Sequence, residues 1–206
     1  ANICCYGVIG NDNDGKLLLD DLNGIGVETD GIIEVSDRPT TVKVRMMGHL
    51  QSAGKGIQQI LRIDYEKTDD IEEKIQDEIV NKIESKVQHV DIILISDMNK
   101  GVLSTRILDT VIRLGKDHKV PVIVDPRLSN DYTIYKGATA ITPNRFETKL
   151  STGIKITDIN SMKSAGRKLL EESLFECVII TADKDGMFLY RKDGSCDLIS
   201  TVPKDV

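Results

Sequence analysis

The sequence predicts an α/β protein: a three-layer α/β/α arrangement around a mostly parallel sheet, with a small β-hairpin lid. Three observations carry this. From about residue 70 to residue 200, helical and strand patterns alternate. The run Val90-Asp91-Ile92-Ile93-Leu94-Ile95-Ser96 is almost continuously apolar, as in a parallel strand covered on both faces. Between about 38 and 66 the period drops to two, which marks an inserted hairpin with one polar and one apolar face.

Taken in order, Ile3–Ile9 reads as a buried strand and residues 10–15 as a turn. A calcium loop is excluded there, because Gly10 stands where the first acidic ligand belongs; the turn is read as a helix cap. Lys16–Asn23, carrying Leu17, Leu18, Leu19 and Leu22, reads as a helix closed by Gly24 and Gly26. Thr41, Lys43 and Arg45 alternate with Val42, Val44 and Met46. After a small-residue loop from Gly48 to Gly56, a second alternating run covers Gln58–Asp64. Helices are predicted over Ile71–Val87, Thr105–Lys116, about 144–151 and about 158–172. Strands are predicted over Val90–Ser96, Val120–Val124, Ala138–Ile141 and Cys177–Thr181, with Met187–Tyr190 and Asp197–Ser200 as an antiparallel pair. Strand–helix–strand units at this spacing imply right-handed crossovers.

The 206 residues suffice for one α/β domain with a core, here read as residues 1–206 with the lid inserted at about 38–66. Hydrophobic content of 40% and charged content of 29% exclude a disordered chain. The net charge of −6 argues against sequence-independent nucleic-acid binding, although a local cationic cluster can still bind an anion. The four cysteines (Cys4, Cys5, Cys177 and Cys196) have neither zinc spacing nor a disulfide framework. They read as small buried hydrophobes of a cytoplasmic protein. No apolar run is long enough for a membrane span, and no signal peptide is expected. The chain opens inside a strand and without Met, so an N-terminal segment is expected ahead of it.

Ligands of open parallel sheets bind at the carboxyl ends of the strands. Those ends are polar here: Ser96-Asp97-Met98-Asn99-Lys100-Gly101, Asp125-Pro126-Arg127, Thr142-Pro143-Asn144-Arg145-Phe146-Glu147 and Thr181-Ala182-Asp183-Lys184-Asp185-Gly186. Singly, each is as readily structural, a plain turn or a capped helix start, as it is part of a binding site. Four at one sheet edge point to a shared cleft. No Ser–His–Asp logic is present, and His49, His89 and His118 lie in the loop of the hairpin and in or near helices. With no Walker A motif and no G-x-G-x-x-G after a strand, any phosphate binding would use another device, such as helix N-termini with scattered cations.

These segments resemble a known family. Asp37-Arg38-Pro39-Thr40-Thr41-Val42-Lys43-Val44-Arg45, with Gln58-Gln59-Ile60-Leu61-Arg62-Ile63-Asp64-Tyr65-Glu66, is similar to the lid hairpin of the heptose-7-phosphate kinases. These are members of the ribokinase (PfkB) family that serve ADP-heptose and lipopolysaccharide synthesis. Ser96–Leu103 resembles their S-D-Y-x-K-G-x-L, and Val124–Arg127 their V-D-P-K. Gly137-Ala138-Thr139 with Thr142–Glu147 resembles R-G-A-T…T-P-N-x-x-E, and Gly7–Gly15 resembles G-x-x-G-x-D-x-x-G. The likeness runs through essentially the whole chain. Arg127 departs from it, standing where the family usually has Lys.

The resemblance implies a ribokinase-like fold and an ATP-dependent kinase that phosphorylates heptose-7-phosphate at its anomeric hydroxyl. Asn144 and Glu147 would order Mg²⁺ and water at the nucleotide phosphates, Arg127 would join them, and Thr181, Asp183 and Gly186 would border the nucleotide. Thr41, Lys43, Arg45, Arg62, Asp97 and Lys100 would serve the sugar phosphate and the lid, which would pair with a second lid in a homodimer. The resemblance also implies a chain truncated at both ends. A Gly-Gly segment is expected before Ala1, and a G-A-G-D segment carrying the catalytic Asp is expected beyond Val206, so no catalytic residue is assigned within the chain and these residues alone are expected to be inactive. Two other readings stand beside this one: a PfkB-type kinase of a different sugar, and a non-catalytic ligand-binding or dimerising domain derived from a kinase.

Overall fold

The computed structural model describes residues 1–49 and 56–201. The loop read between Gly48 and Gly56, and the end of the chain past Thr201, lie largely outside them. The chain divides into two compact units: Ala1–Ile83 with Lys100–Val102, and Glu84–Asn99 with Leu103–Val206.

In the first unit, β1 (Cys4–Gly10) pairs in parallel with β2 (Glu28–Val35), and α1 (Asn13–Gly24) connects them. Asp12 caps α1, its carboxylate accepting the Gly15 amide at 2.8 Å, so the capping turn is present and the helix starts three residues earlier than Lys16. The strand β2 is absent from the sequence-based prediction. Asp30 and Gly31 interrupt its apolar pattern, and Gly31 is required there because a Cβ would stand 2.4 Å from the Tyr6 ring. The hairpin is β3 (Val42–His49) and β4 (Ile57–Tyr65), antiparallel, with a register shift between Met46 and Met47. Val42, Val44 and Met46 lie opposite Tyr65, Ile63 and Leu61; Lys43 and Arg45 lie opposite Asp64 and Arg62. The predicted apolar and polar faces are therefore real, and both are open: every residue of β4 is exposed. His49 ends β3 rather than lying in the loop. The long helix α2 (Glu73–Lys86) follows.

The second unit holds a six-stranded sheet, in order β10-β9-β8-β7-β6-β5. Its strands β5 (Ile93–Ser96), β6 (Val122–Asp125), β7 (Ala140–Ile141) and β8 (Cys177–Thr181) are parallel. The strands β9 (Met187–Arg191) and β10 (Cys196–Ile199) run antiparallel, as the sequence predicts. The helices α3 (Thr105–His118), α4 (Arg145–Thr152) and α5 (Ile159–Ser173) link the parallel strands. Each has a cap legible in its sequence: Ser104, Asn144 and Asp158 at the N-termini. The core gathers Ile107, Leu108, Val122, Val124, Ile141, Leu169, Phe175, Val178, Ile180 and Phe188, all at most 2% exposed. The expectation of a strand covered on both faces fails for β5. It starts at Ile93 rather than Val90 and forms the edge of its sheet, leaving Leu94 70% exposed.

Candidate functional site

The polar strand ends, the first of them as far as Asn99, do lie along one edge of the second unit's sheet, because β5, β6, β7 and β8 are parallel neighbours. Ser96 pairs with Asp125 across β5 and β6, and the Asp97 amide donates to the Asp125 carbonyl at 2.9 Å. Beyond β7, Thr142 donates from its amide to the Val124 carbonyl at 2.8 Å, and its hydroxyl lies 3.3 Å from Asp125 Oδ1. Asn144 bridges to Thr181, whose amide donates to the Pro143 carbonyl at 3.0 Å. The row of strand ends is thus hydrogen-bonded from β5 through β8.

Asp97 is not presented to solvent. It is 3% exposed. One carboxylate oxygen accepts the Asn99 amide at 2.8 Å, and the other accepts the Tyr135 hydroxyl at 2.7 Å. The Arg127 guanidinium lies 4.0 Å from that second oxygen and donates to the Asn99 side-chain carbonyl at 3.1 Å. A buried carboxylate needs such compensation, since desolvation otherwise drives it neutral. Asp97 is thereby linked to Asn99 and Arg127 at the sheet edge.

Asn144 and Glu147 form a reciprocal capping box on α4. Asn144 Oδ1 accepts the Phe146 and Glu147 amides at 2.9 and 3.0 Å, and Glu147 Oε2 accepts the Asn144 amide at 2.8 Å. Glu147 Oε1 takes no bond among the described residues. The dipole of that helix N-terminus favours anions, although Asn144 already takes the Phe146 and Glu147 amides. The Mg²⁺ that the resemblance implies fits this donor set. The Asp125 carboxylate ends β6 and that of Glu147 lies in the first turn of α4, both hard oxygen donors, and Mg²⁺ keeps most of its waters while taking one or two carboxylates beside phosphate oxygens.

At the end of β8, Asp183 is exposed and sits in the left-handed region at φ 49°, with Arg145 Nε 3.8 Å away; the Arg145 guanidinium also pairs with Asp185. Gly186 has φ 95°, and a Cβ there would fall 2.0 Å from the Ile199 carbonyl oxygen, so this position turns the chain into β9 and admits only glycine. Thr181 is half-buried at the end of β8.

The expected lid residues belong to the first unit. Lys43, Arg45 and Arg62 share the polar face of the hairpin. Arg45 and Arg62 are directly opposite, a like-charge cross-strand pair that weakens the hairpin unless an anion or a carboxylate intervenes. Asp64 supplies part of that, 2.9 Å from Arg62 Nε. Lys100 is ion-paired with Glu66, at the C-terminal foot of the hairpin. Arg38, 7% exposed, donates to the carbonyls of Lys100 at 3.2 Å and Asp69 at 2.7 Å. Thr41 is exposed, whereas its neighbour Thr40 is buried and central: its hydroxyl accepts the Gly10 amide at 2.9 Å and donates to Asp12 at 2.7 Å, and its own amide donates to the same carboxylate at 2.8 Å. These bonds, the Thr40 amide first, hold the Asp12 carboxyl below the ordinary aspartate range. Gly10 is forced by this packing, since a Cβ would meet Thr40 N at 2.6 Å and Arg38 O at 2.7 Å.

Sequence reasoning missed Thr40, Arg38, Glu66 and Tyr135. The last had a signal. Tyr132 and Tyr135 are two of five tyrosines, set three apart in a polar loop before a strand. Both are buried, with ring centroids 6.1 Å apart.

Among solved structures, that of Arabidopsis thaliana ribokinase complexed with ribose and ATP superimposes with a TM-score of 0.72 at 20% identity, covering 98% of this chain and 62% of the other. Phosphofructokinase-2 from Escherichia coli, in complex with potassium, gives a TM-score of 0.69 at 13% identity, covering 100% and 63%. The fold is therefore ribokinase-like. Among curated proteins, the bifunctional protein HldE of Geobacter metallireducens is 38% identical over 199 residues, 97% of this chain and 39% of its own length. HldE of Wolinella succinogenes is 36% identical over 206 residues, 100% of this chain and 41% of its own. The chain thus spans about two-fifths of the length of these relatives. The family model described as pfkB family carbohydrate kinase matches residues 2–206, and the chain belongs to that family.

Proposed function

We propose that this chain is part of an ATP-dependent kinase that phosphorylates heptose-7-phosphate at its anomeric hydroxyl, a step toward ADP-heptose. The observation that carries the reading is the bonded row of strand ends, which sets Arg127, the α4 N-terminus and the Glu147 and Asp125 carboxylates along one edge. That assembly suits a polyphosphate. The likeness to HldE along the full chain supports the heptose assignment, and the family and the ribokinase-like fold support phosphoryl transfer.

Phosphoryl transfer needs positioning and charge stabilisation more than covalent chemistry. Arg127 and the positive end of the α4 dipole would attract nucleotide phosphates. Glu147 and Asp125 would hold water-bound Mg²⁺, which supplies charge neutralisation at those phosphates when bound. Thr181, Asp183 and Gly186 would border the nucleotide. The cations Lys43, Arg45 and Arg62, opposed across the hairpin, would receive the sugar's own phosphate, and Lys100 would join them through its pairing with Glu66. We assign no base among residues 1–206.

The hairpin serves in this proposal as the lid of a kinase domain, and its apolar face as a pairing surface for a second copy. Val44, Met46, Leu61, Ile63 and Tyr65 are all exposed large side chains, and a clustered exposed apolar face marks an interaction surface. An enzyme that draws on ATP and sugar phosphates belongs in the cytoplasm; no helix among the described residues is long and apolar enough to cross a membrane.

The test is Mg²⁺-dependent ADP release by the whole protein with heptose-7-phosphate, ribose or fructose-6-phosphate as acceptor. Turnover with the heptose phosphate well above the other two is expected. Turnover of ribose or fructose-6-phosphate with heptose-7-phosphate ignored would overturn the substrate assignment, and no turnover with any sugar would favour a non-catalytic binding domain.

A further inference from the structure

One hydroxyl in the second unit holds both ends of Arg127. Tyr135 is 0% exposed, and its Oη accepts the Arg127 backbone amide at 3.2 Å while donating to Asp97 Oδ2 at 2.7 Å. The same Asp97 oxygen lies 4.0 Å from the Arg127 guanidinium. The other Asp97 oxygen fixes the Asn99 amide at 2.8 Å, in a residue whose backbone is left-handed at φ 54°. That conformation turns the Asn99 side chain to accept from Arg127 at 3.1 Å. A flexible guanidinium on a loop is thereby tied at its backbone and at its head through a single buried phenol.

We propose that Tyr135 is a positioning residue of the phosphoryl-transfer site, presetting Arg127 for phosphate through Asp97 and Asn99. This rests on the reading of Arg127 as a phosphate-binding cation. Two features argue against simple core filling. A phenylalanine would fill the same space, yet a hydroxyl is buried here, which is favourable only when its bonds are made. Burial and the bond to Asp97 also push the phenol well above the usual tyrosine range, which favours the protonated, donating form. Preset geometry matters because a guanidinium ordered before phosphate arrives loses less entropy on binding.

The variant Tyr135→Phe removes only the hydroxyl. In the whole protein we expect it to weaken Mg²⁺–ADP binding, read by titration calorimetry, and kcat/KM for ATP by about tenfold each, with KM for the sugar phosphate unchanged. Arg127→Ala should cost more, and the double variant Tyr135→Phe/Arg127→Ala no more than Arg127→Ala alone, because both act through one group. Additive losses, or a Tyr135→Phe protein that binds ADP like the wild type, overturn the proposal. Should Tyr135→Phe not fold, Asn99→Gly removes the side-chain support at the surface while keeping the left-handed backbone, and the same cycle with Arg127→Ala is read. The ADP titration needs no sugar, so a wrong acceptor assignment, seen only in turnover, is distinguishable from failure of this coupling.

Discussion

The hairpin and the row of strand ends carry their polar groups under opposite rules. In the strand-end row, charged and polar side chains are bonded to one another and to nearby backbone: Asp97 to the buried Tyr135 hydroxyl and the Asn99 amide, Glu147 to the Asn144 amide, Arg127 to the Asn99 side chain. On the hairpin, Lys43, Arg45 and Arg62 stand on an exposed face, and two of them face each other with like charge. The polar groups of the first region are already bonded without a ligand; the second keeps unbalanced charge on its surface. Preset groups suit a cofactor common to a whole family, and an open cationic face suits the part of the substrate that varies.

That contrast can be broken by substitution. The largest effect is expected for Asp97→Ala, which strands the Tyr135 hydroxyl and Arg127 without their partner; a loss of about 3 kcal/mol in chemical denaturation is expected, and a loss under 1 kcal/mol would mean that the row is not preset. Gly10→Ala drives a Cβ against the backbone of Thr40 and Arg38 and should cost about 2 kcal/mol, measured the same way. Asn144→Ala removes the α4 cap and should cost about 1 kcal/mol, with ADP binding also weakened. Arg45→Ala, on the hairpin, should change stability by less than about 0.5 kcal/mol in either direction while raising KM for the sugar phosphate. Smallest is an acid effect at Asp12. Its folded-state pKa is lowered, so its contribution is complete above the ordinary aspartate pKa of 3.8 and lost as pH falls through the folded value. The difference in thermal midpoint between wild type and Asp12→Asn should therefore be largest near neutrality and shrink toward acid pH.

Much of this is legible in the sequence because two periodicities report two environments. The alternation of Val42, Val44 and Met46 with Lys43 and Arg45 needs only a pleated strand with unlike faces, and that hairpin is found. The polar strand ends are legible because a parallel sheet collects them at one edge. What the sequence hides is burial and distance. Asp97 looks like a ligand contact from its neighbours, but its burial depends on Tyr135, 38 residues away. Thr40 and Thr41 are indistinguishable as a pair of letters, and only the approach of Asp12 and Gly10 separates them. The strand β2 is hidden because Asp30 and Gly31 interrupt it, the glycine answering to a ring across the pair rather than to a turn. Leu94 reads as core, yet β5 is an edge.

The division of labour between the two regions is tested most directly by steady-state kinetics of the whole protein carrying Arg45→Ala or Arg127→Ala, with KM measured separately for ATP and for heptose-7-phosphate. The expected result is a crossed pattern: Arg45→Ala raises KM for the sugar phosphate by about tenfold or more and leaves that for ATP unchanged, and Arg127→Ala does the reverse. An Arg45→Ala enzyme with unchanged KM for the sugar phosphate, or two variants that shift both constants alike, would contradict it.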